Sequence, residues 1–187
     1  MTNELDVGQS ALLTDIALCL NYYRLSSPGL YCCILAPVQL DEVTRLIPGV
    51  LVMVNYGKHK QCSVDPSGRF FVGPPNFVLD VFPEGNLLDY EHRRECYQRA
   101  GVIEYVALQD TETLACLWNR RIDGQFQRIE EDDPGMIRST ALPGLWVPTA
   151  ALKNRNWWSI MGSLAQGVTR LGHHDLMESI WSRTVLY

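Results

Sequence analysis

The sequence predicts an α/β fold: a mixed central sheet flanked by helices, with further helices at the C-terminal end. Three observations predict it. Residues 75–110 read as strand, turn, helix and strand in one run. Residues 50–56 are almost wholly apolar, as in a strand buried on both faces. Asp123-Gly124 stands between two extended segments, the strongest hairpin signal in the chain.

The elements follow in order. Leu12, Leu13, Ile16, Ala17, Leu20 and Tyr23 recur at helical spacing and make residues 8–25 an amphipathic helix, ended by Ser26-Ser27-Pro28-Gly29. Residues 30–40 are a strand interrupted by Pro37, residues 41–49 a connection, and residues 50–56 the buried strand. A polar loop over 57–67 closes on Asp65-Pro66-Ser67-Gly68, a turn pattern. Residues 87–100 form the central helix, stopped by Gly101, and residues 104–108 the next strand. Residues 113–121 and 125–130 flank the hairpin turn, and two short extended pieces follow, one over 136–141 and one introduced by Leu142-Pro143-Gly144-Leu145. From 156 to 181 the pattern turns helical, broken by Gly167 and Gly172. The predicted division is a main domain over 1–152 and a helical appendage over 153–187.

The 187 residues, 47% hydrophobic and 20% charged, are enough for a self-sufficient globular core. A net charge of −5 gives no overall basic face for nucleic acid, so such binding would need a local patch. None of the six cysteines forms a Cys-x-x-Cys pair or a zinc-type spacing with histidine. The acidic, polar start over 1–7 is unlike a signal peptide, and no apolar run reaches membrane-spanning length. The expectation is a cytoplasmic protein with reduced thiols and no membrane contact.

One residue stands out. Asp80 lies inside the apolar strand 77–82, where a carboxylate is costly unless a cation, a metal or good hydrogen bonds use it. Around it, Pro75-Asn76-Phe77-Val78-Leu79-Asp80-Val81 is followed by Asp89, Arg93, Tyr97, Arg99-Ala100-Gly101-Val102, Glu104-Tyr105 and Asp110. In this order and spacing, the residues resemble the Uma-type restriction endonuclease family of the PD-(D/E)xK nuclease superfamily. Ile47-Pro48-Gly49-Val50 and Leu142-Pro143-Gly144-Leu145 extend the resemblance over roughly residues 8–153. It implies a restriction-endonuclease-like core and a Mg²⁺-dependent DNA endonuclease, in which two acids hold the metal and a Lys stands near the attacking water.

The sequence departs from that family at each site position. Gly49 follows Pro48 where the first acid is expected, Asp80 replaces a Glu, and Arg93 replaces the Lys. The resemblance makes Asp80 and Arg93 the candidate catalytic residues and Asp80 the candidate metal ligand, with Asp65 or Asp89 as a substitute second acid. Mg²⁺ is implied if the site is active, and no cofactor otherwise. The residues alone leave a second reading open, in which Asp80 is ion-paired with Arg93. One carboxylate is a poor Mg²⁺ site, and an arginine stays protonated and cannot act as a base. The alternative function is then a catalytically degenerate nuclease fold that binds DNA or protein.

Other candidates have plainer readings. His92-Arg93-Arg94 with Arg99, Arg120 and Arg121 offers a modest phosphate-binding surface or scattered solvated charge. Asp110 is expected to cap a turn, Asp175 to start a helix, and His59 to be solvated. The tryptophans at 157, 158 and 181 suggest a packing or subunit surface, and with it a homodimer.

Overall fold

The computed structural model describes residues 5–132 and 134–181. The reading of the chain start falls largely on residues 1–4, and the last six residues of the appendage on 182–187; both lie outside the described residues. A 19-residue helix, α1 (Val7–Leu25), opens the fold. Asp6 caps it by accepting from the Gln9 N–H at 2.8 Å, while the Gln9 side chain accepts from the Asp6 N–H at 3.1 Å.

Six strands form the main sheet: β1 (Leu30–Ile34), β4 (Val50–Val54), β7 (Phe77–Pro83), β8 (Glu104–Asp110), β9 (Ala115–Ile122) and β10 (Gln125–Arg128), in the order 1-4-7-8-9-10. Only β7 and β8 pair in parallel within it, joined by the crossover helix α2 (Leu87–Ala100); the other neighbours are antiparallel. The sheet is therefore mixed, as the sequence predicts. Asn86 caps α2 at its start, and Gly101 ends it in the left-handed region at φ 98°. The β9–β10 turn places Asp123 and Gly124 at φ 49° and 83°, the two positive values that a tight two-residue hairpin requires.

The expected single strand over 30–40 is split. Leu35 takes a left-handed φ of 50° and Pro37 cannot donate to a ladder, so β1 stops at Ile34. The chain resumes as β2 (Val38–Gln39) in a second, four-stranded sheet with β3 (Arg45–Leu46), β5 (Ser63–Val64) and β6 (Phe71–Val72). β11 (Met136–Arg138) and β12 (Trp146–Pro148) make a separate antiparallel pair.

Strand β7 divides the interior. Phe77, Leu79 and Val81 face a core with α1, whereas Val78 and Phe82 face a second core that includes Tyr90, Cys96 and Tyr97 of α2. After α3 (Thr149–Lys153), helices α4 (Trp157–Gly167) and α5 (Leu171–Trp181) place Ile160, Leu164, Leu176 and Ile180 in the same core as α1. Each of these buried side chains stabilises that packing by about 1.5–3 kcal/mol. Asp175 is the fifth residue of α5 rather than its start, because the helix begins four residues earlier. Among the described residues, no helix is long and apolar enough to cross a membrane, and all six cysteines are free thiols.

Candidate functional site

Alternation along β7 points Asp80 at α2, and the spacing of α2 brings Asp89, Arg93 and Tyr97 onto one helix face, a turn apart. Asp80 is only 1% exposed. Its Oδ1 accepts from the Gly49 N–H at 2.8 Å, and its Oδ2 from the Tyr97 hydroxyl at 3.3 Å and Arg93 Nη1 at 3.4 Å. Arg93 Nη1 also donates to the Ile47 carbonyl at 3.2 Å. Asp89 Oδ2 stands 3.5 Å from Arg93 Nε, although that buried N–H makes no hydrogen bond.

Burial pushes the Asp80 carboxyl up, further than Arg93, the Gly49 N–H and Tyr97 bring it down. Burial alone would lower the Arg93 pKa, but Asp80, followed by Tyr97 and Asp89, holds it above the ordinary arginine range. Burial followed by the Asp80 charge also raises the Tyr97 and Tyr105 hydroxyls well above their usual value. Tyr105 packs against Tyr97 with ring centroids 4.9 Å apart, and its buried hydroxyl has no hydrogen-bond partner. A cation, an acid and two neutral phenols thus share one enclosed pocket.

Gly49 lets this pocket close. A Cβ there would meet the Leu79 carbonyl at 3.0 Å and Leu13 Cδ1 at 3.1 Å. Its bare backbone instead approaches β7 and points the N–H at Asp80. The position of the resembling family's first acid therefore supplies a hydrogen-bond donor to Asp80.

The residues around Asp80 do not fit Mg²⁺. That ion takes oxygen ligands in a near-octahedral shell. Both Asp80 oxygens already accept from N–H or O–H groups, and Arg93 supplies the positive charge. Asp89 faces that same guanidinium. Asp65 spends its carboxylate on its own turn, accepting from the Ser67 hydroxyl and the Arg69 and Phe70 N–H groups; these bonds, led by the Ser67 hydroxyl, lower its pKa to about 2. Among the described residues, no group of three or more His, Cys, Asp or Glu side chains is arranged to hold a metal ion.

The expected basic surface separates into parts. Arg93 is buried on Asp80, Arg94 donates to the Phe126 carbonyl at 2.9 Å, and Arg120 pairs with Glu104 at 2.8 Å; His92 and Arg99 remain at the surface. Asp110 pairs with Arg155 instead of capping its turn. His59 is exposed, on a short 3₁₀ turn. Of the neighbouring histidines, His173 is buried, with Nε2 2.8 Å from the Ser27 hydroxyl, whereas His174 is exposed. Trp157 packs against the main core, whereas Trp158 is 89% exposed.

Glu104 is a second buried acid, apart from Asp80, to which the sequence assigns no role. It is fully buried at the start of β8, where it accepts from Arg120 Nε at 2.8 Å, the Ser139 hydroxyl at 2.5 Å, and the N–H and hydroxyl of Thr140 at 3.0 Å each. The available signal was the hairpin register, which sets Arg120 opposite Glu104. This network ties β8 and β9 to the segment after β11.

The architecture is a mixed α/β fold, with a mixed central sheet flanked by helices. A solved structure described as "a putative nuclease belonging to DUF820", from Anabaena variabilis ATCC 29413, is similar to it with a TM-score of 0.60. The similarity covers 82% of this chain and 83% of that one at 10% sequence identity, and so it concerns the fold. No family model matches the chain, and no curated protein matches it.

Proposed function

We propose that this protein is a catalytically degenerate member of the nuclease-fold class, acting by binding DNA rather than by cutting it. The observation that carries this reading is the internal engagement of both Asp80 oxygens, which accept from Gly49, Tyr97 and Arg93. A metal-dependent nuclease needs carboxylate oxygens open to the metal and a group able to take a proton from water. Asp80 is bonded on both oxygens, and Arg93 stays protonated. The reading of Asp80 as a structural acid and Arg93 as its counter-ion accounts for both residues without a metal step. DNA as the partner rests on the shared fold.

The test has two arms. Supercoiled plasmid is incubated with the protein and Mg²⁺ or Mn²⁺, beside folded Asp80→Asn. Plasmid that stays supercoiled supports the reading, and nicking lost in the variant contradicts it. Fluorescence anisotropy of labelled duplex and single-stranded DNA then measures binding. Saturable binding without cleavage is the expected result, and the absence of binding removes DNA as the partner.

A further inference from the structure

Strand β1 of the main sheet has a neighbour on one side only, β4. An open edge of this kind is a template for another strand unless charge, proline or a bulge blunts it. β1 reads Leu-Tyr-Cys-Cys-Ile in unbroken register and has none of these. The opposite edge, β10, is shorter and carries Gln125, Gln127 and Arg128 at its surface.

The flanking hydrogen bonds fix which backbone groups of β1 face outward. Asn55 N–H donates to the Gly29 carbonyl at 2.9 Å, and Leu35 N–H to the Gly49 carbonyl at 3.0 Å. Both pairs continue the β1–β4 register, so Gly29, Tyr31, Cys33 and Leu35 turn their polar backbone groups to β4. Leu30, Cys32 and Ile34 turn theirs away. The Leu30 N–H is taken by the Ser27 carbonyl at 3.3 Å. Among the described residues, nothing pairs with the N–H and carbonyl of Cys32 and Ile34 or with the Leu30 carbonyl. Apolar side chains along the edge are open too. Tyr31 is 44% exposed, Ile34 and Leu35 are 47% each, and Tyr56, whose ring lies beside Gly29, is 47%.

These features are symmetric about Cys32. An antiparallel second copy centred there sets Cys32 against Cys32 of that copy, Ile34 against its Leu30 and Gly29 against its Leu35. The outward N–H groups of Cys32 and Ile34 then meet outward carbonyls. The Tyr56 ring at one end of the edge meets Ile34 and Leu35 at the far end of the second copy. No charged residue of the paired strands faces its own copy, which suits a chain of net charge −5.

We propose that β1 pairs with β1 of a second copy of this chain, joining the two main sheets across a two-fold axis at Cys32. The homodimer expected from the sequence is then held by this edge instead of the tryptophans of the C-terminal helices. The proposal does not depend on DNA binding.

Light scattering after size exclusion is run on the wild type, Ile34→Lys and Trp158→Lys, each checked for native circular dichroism. Both substitutions fall at exposed positions; Tyr31→Lys replaces Ile34→Lys if that variant does not fold. The wild type should run at twice the chain mass at about 100 µM, a range that includes weak association. The edge variant should raise the dissociation constant more than about tenfold, because a lysine drawn into the joined edge loses its water without gaining a partner. Trp158→Lys should stay dimeric. A monomeric wild type overturns the proposal and leaves the edge to residues 182–187 or to a strand of another protein. A dimer that survives the edge substitution, or that Trp158→Lys dissociates, overturns it by placing the contact elsewhere.

Discussion

Arg93 Nη1 lies 3.4 Å from Asp80 Oδ2, with the aspartate 1% and the arginine 6% exposed. A cation from the middle of a helix therefore neutralises an acid from the middle of a strand. Removing one partner of such a buried pair leaves the other charge uncompensated. Arg93→Ala and Asp80→Ala should each lower stability by about 3–5 kcal/mol, read from urea unfolding. The joint Asp80→Leu/Arg93→Met variant should recover much of that loss. Single effects that simply add would show that the two side chains do not act as a pair.

Gly49 provides an independent check on the same pocket. Its Cβ position is filled by the Leu79 carbonyl and Leu13. Gly49→Ala should cost about 1–3 kcal/mol through overpacking. Gly49→Asp, which places an acid at this position, should cost more, because it adds a carboxylate beside Asp80. Thermal melts compare the two, and a neutral Gly49→Ala would contradict the close approach described.

The second buried acid predicts a stability effect away from Asp80. Glu104→Ala should cost about 3–5 kcal/mol by stranding Arg120 and the Ser139 and Thr140 donors. Glu104→Gln should lie between this variant and the wild type, since its carbonyl can still accept. Urea unfolding orders the three proteins, and equal losses in both variants would argue against the hydrogen-bond network.

The sequence made the fold legible through periodicity and turns. The apolar run at β4, the strand–helix–strand unit from β7 to β8 and the Asp123-Gly124 hairpin are local patterns. The small second sheet was not legible, because its two-residue strands carry no periodicity and β2 pairs with the distant β6. In the candidate site, Asp80 stood out because charge inside an apolar strand is unusual, whereas Arg93 was picked out only by the resemblance. The Gly49 N–H and Glu104 remained hidden, since a backbone donor leaves no trace in side-chain type and the partners of Glu104 lie 16 or more positions away. Asp110 and Asp175 were misread because short-range capping is a local rule and Arg155 is 45 residues from Asp110.

His173 gives a pH prediction. Burial, followed by its neighbour His174, lowers its pKa from the ordinary 6.5, against a smaller opposing effect of the Val168 carbonyl. A base with a depressed folded-state pKa binds fewer protons when folded than when unfolded. Its contribution to stability is therefore present above pH 6.5 and is lost as the pH falls through the folded value. Thermal melts between pH 5 and 8 should show this rise with pH, flattened in His173→Gln. An unchanged slope in the variant would assign the dependence to other groups.

The most direct test of the central claim follows the Asp80 carboxyl carbon by ¹³C NMR, assigned with Asp80→Asn, during titration with Mn²⁺. A buried carboxylate held by Gly49, Tyr97 and Arg93 should keep its resonance unbroadened at metal concentrations that support nucleases. Selective paramagnetic broadening of that resonance would mean that Asp80 opens to a metal, and would contradict the reading of Arg93 as its permanent counter-ion.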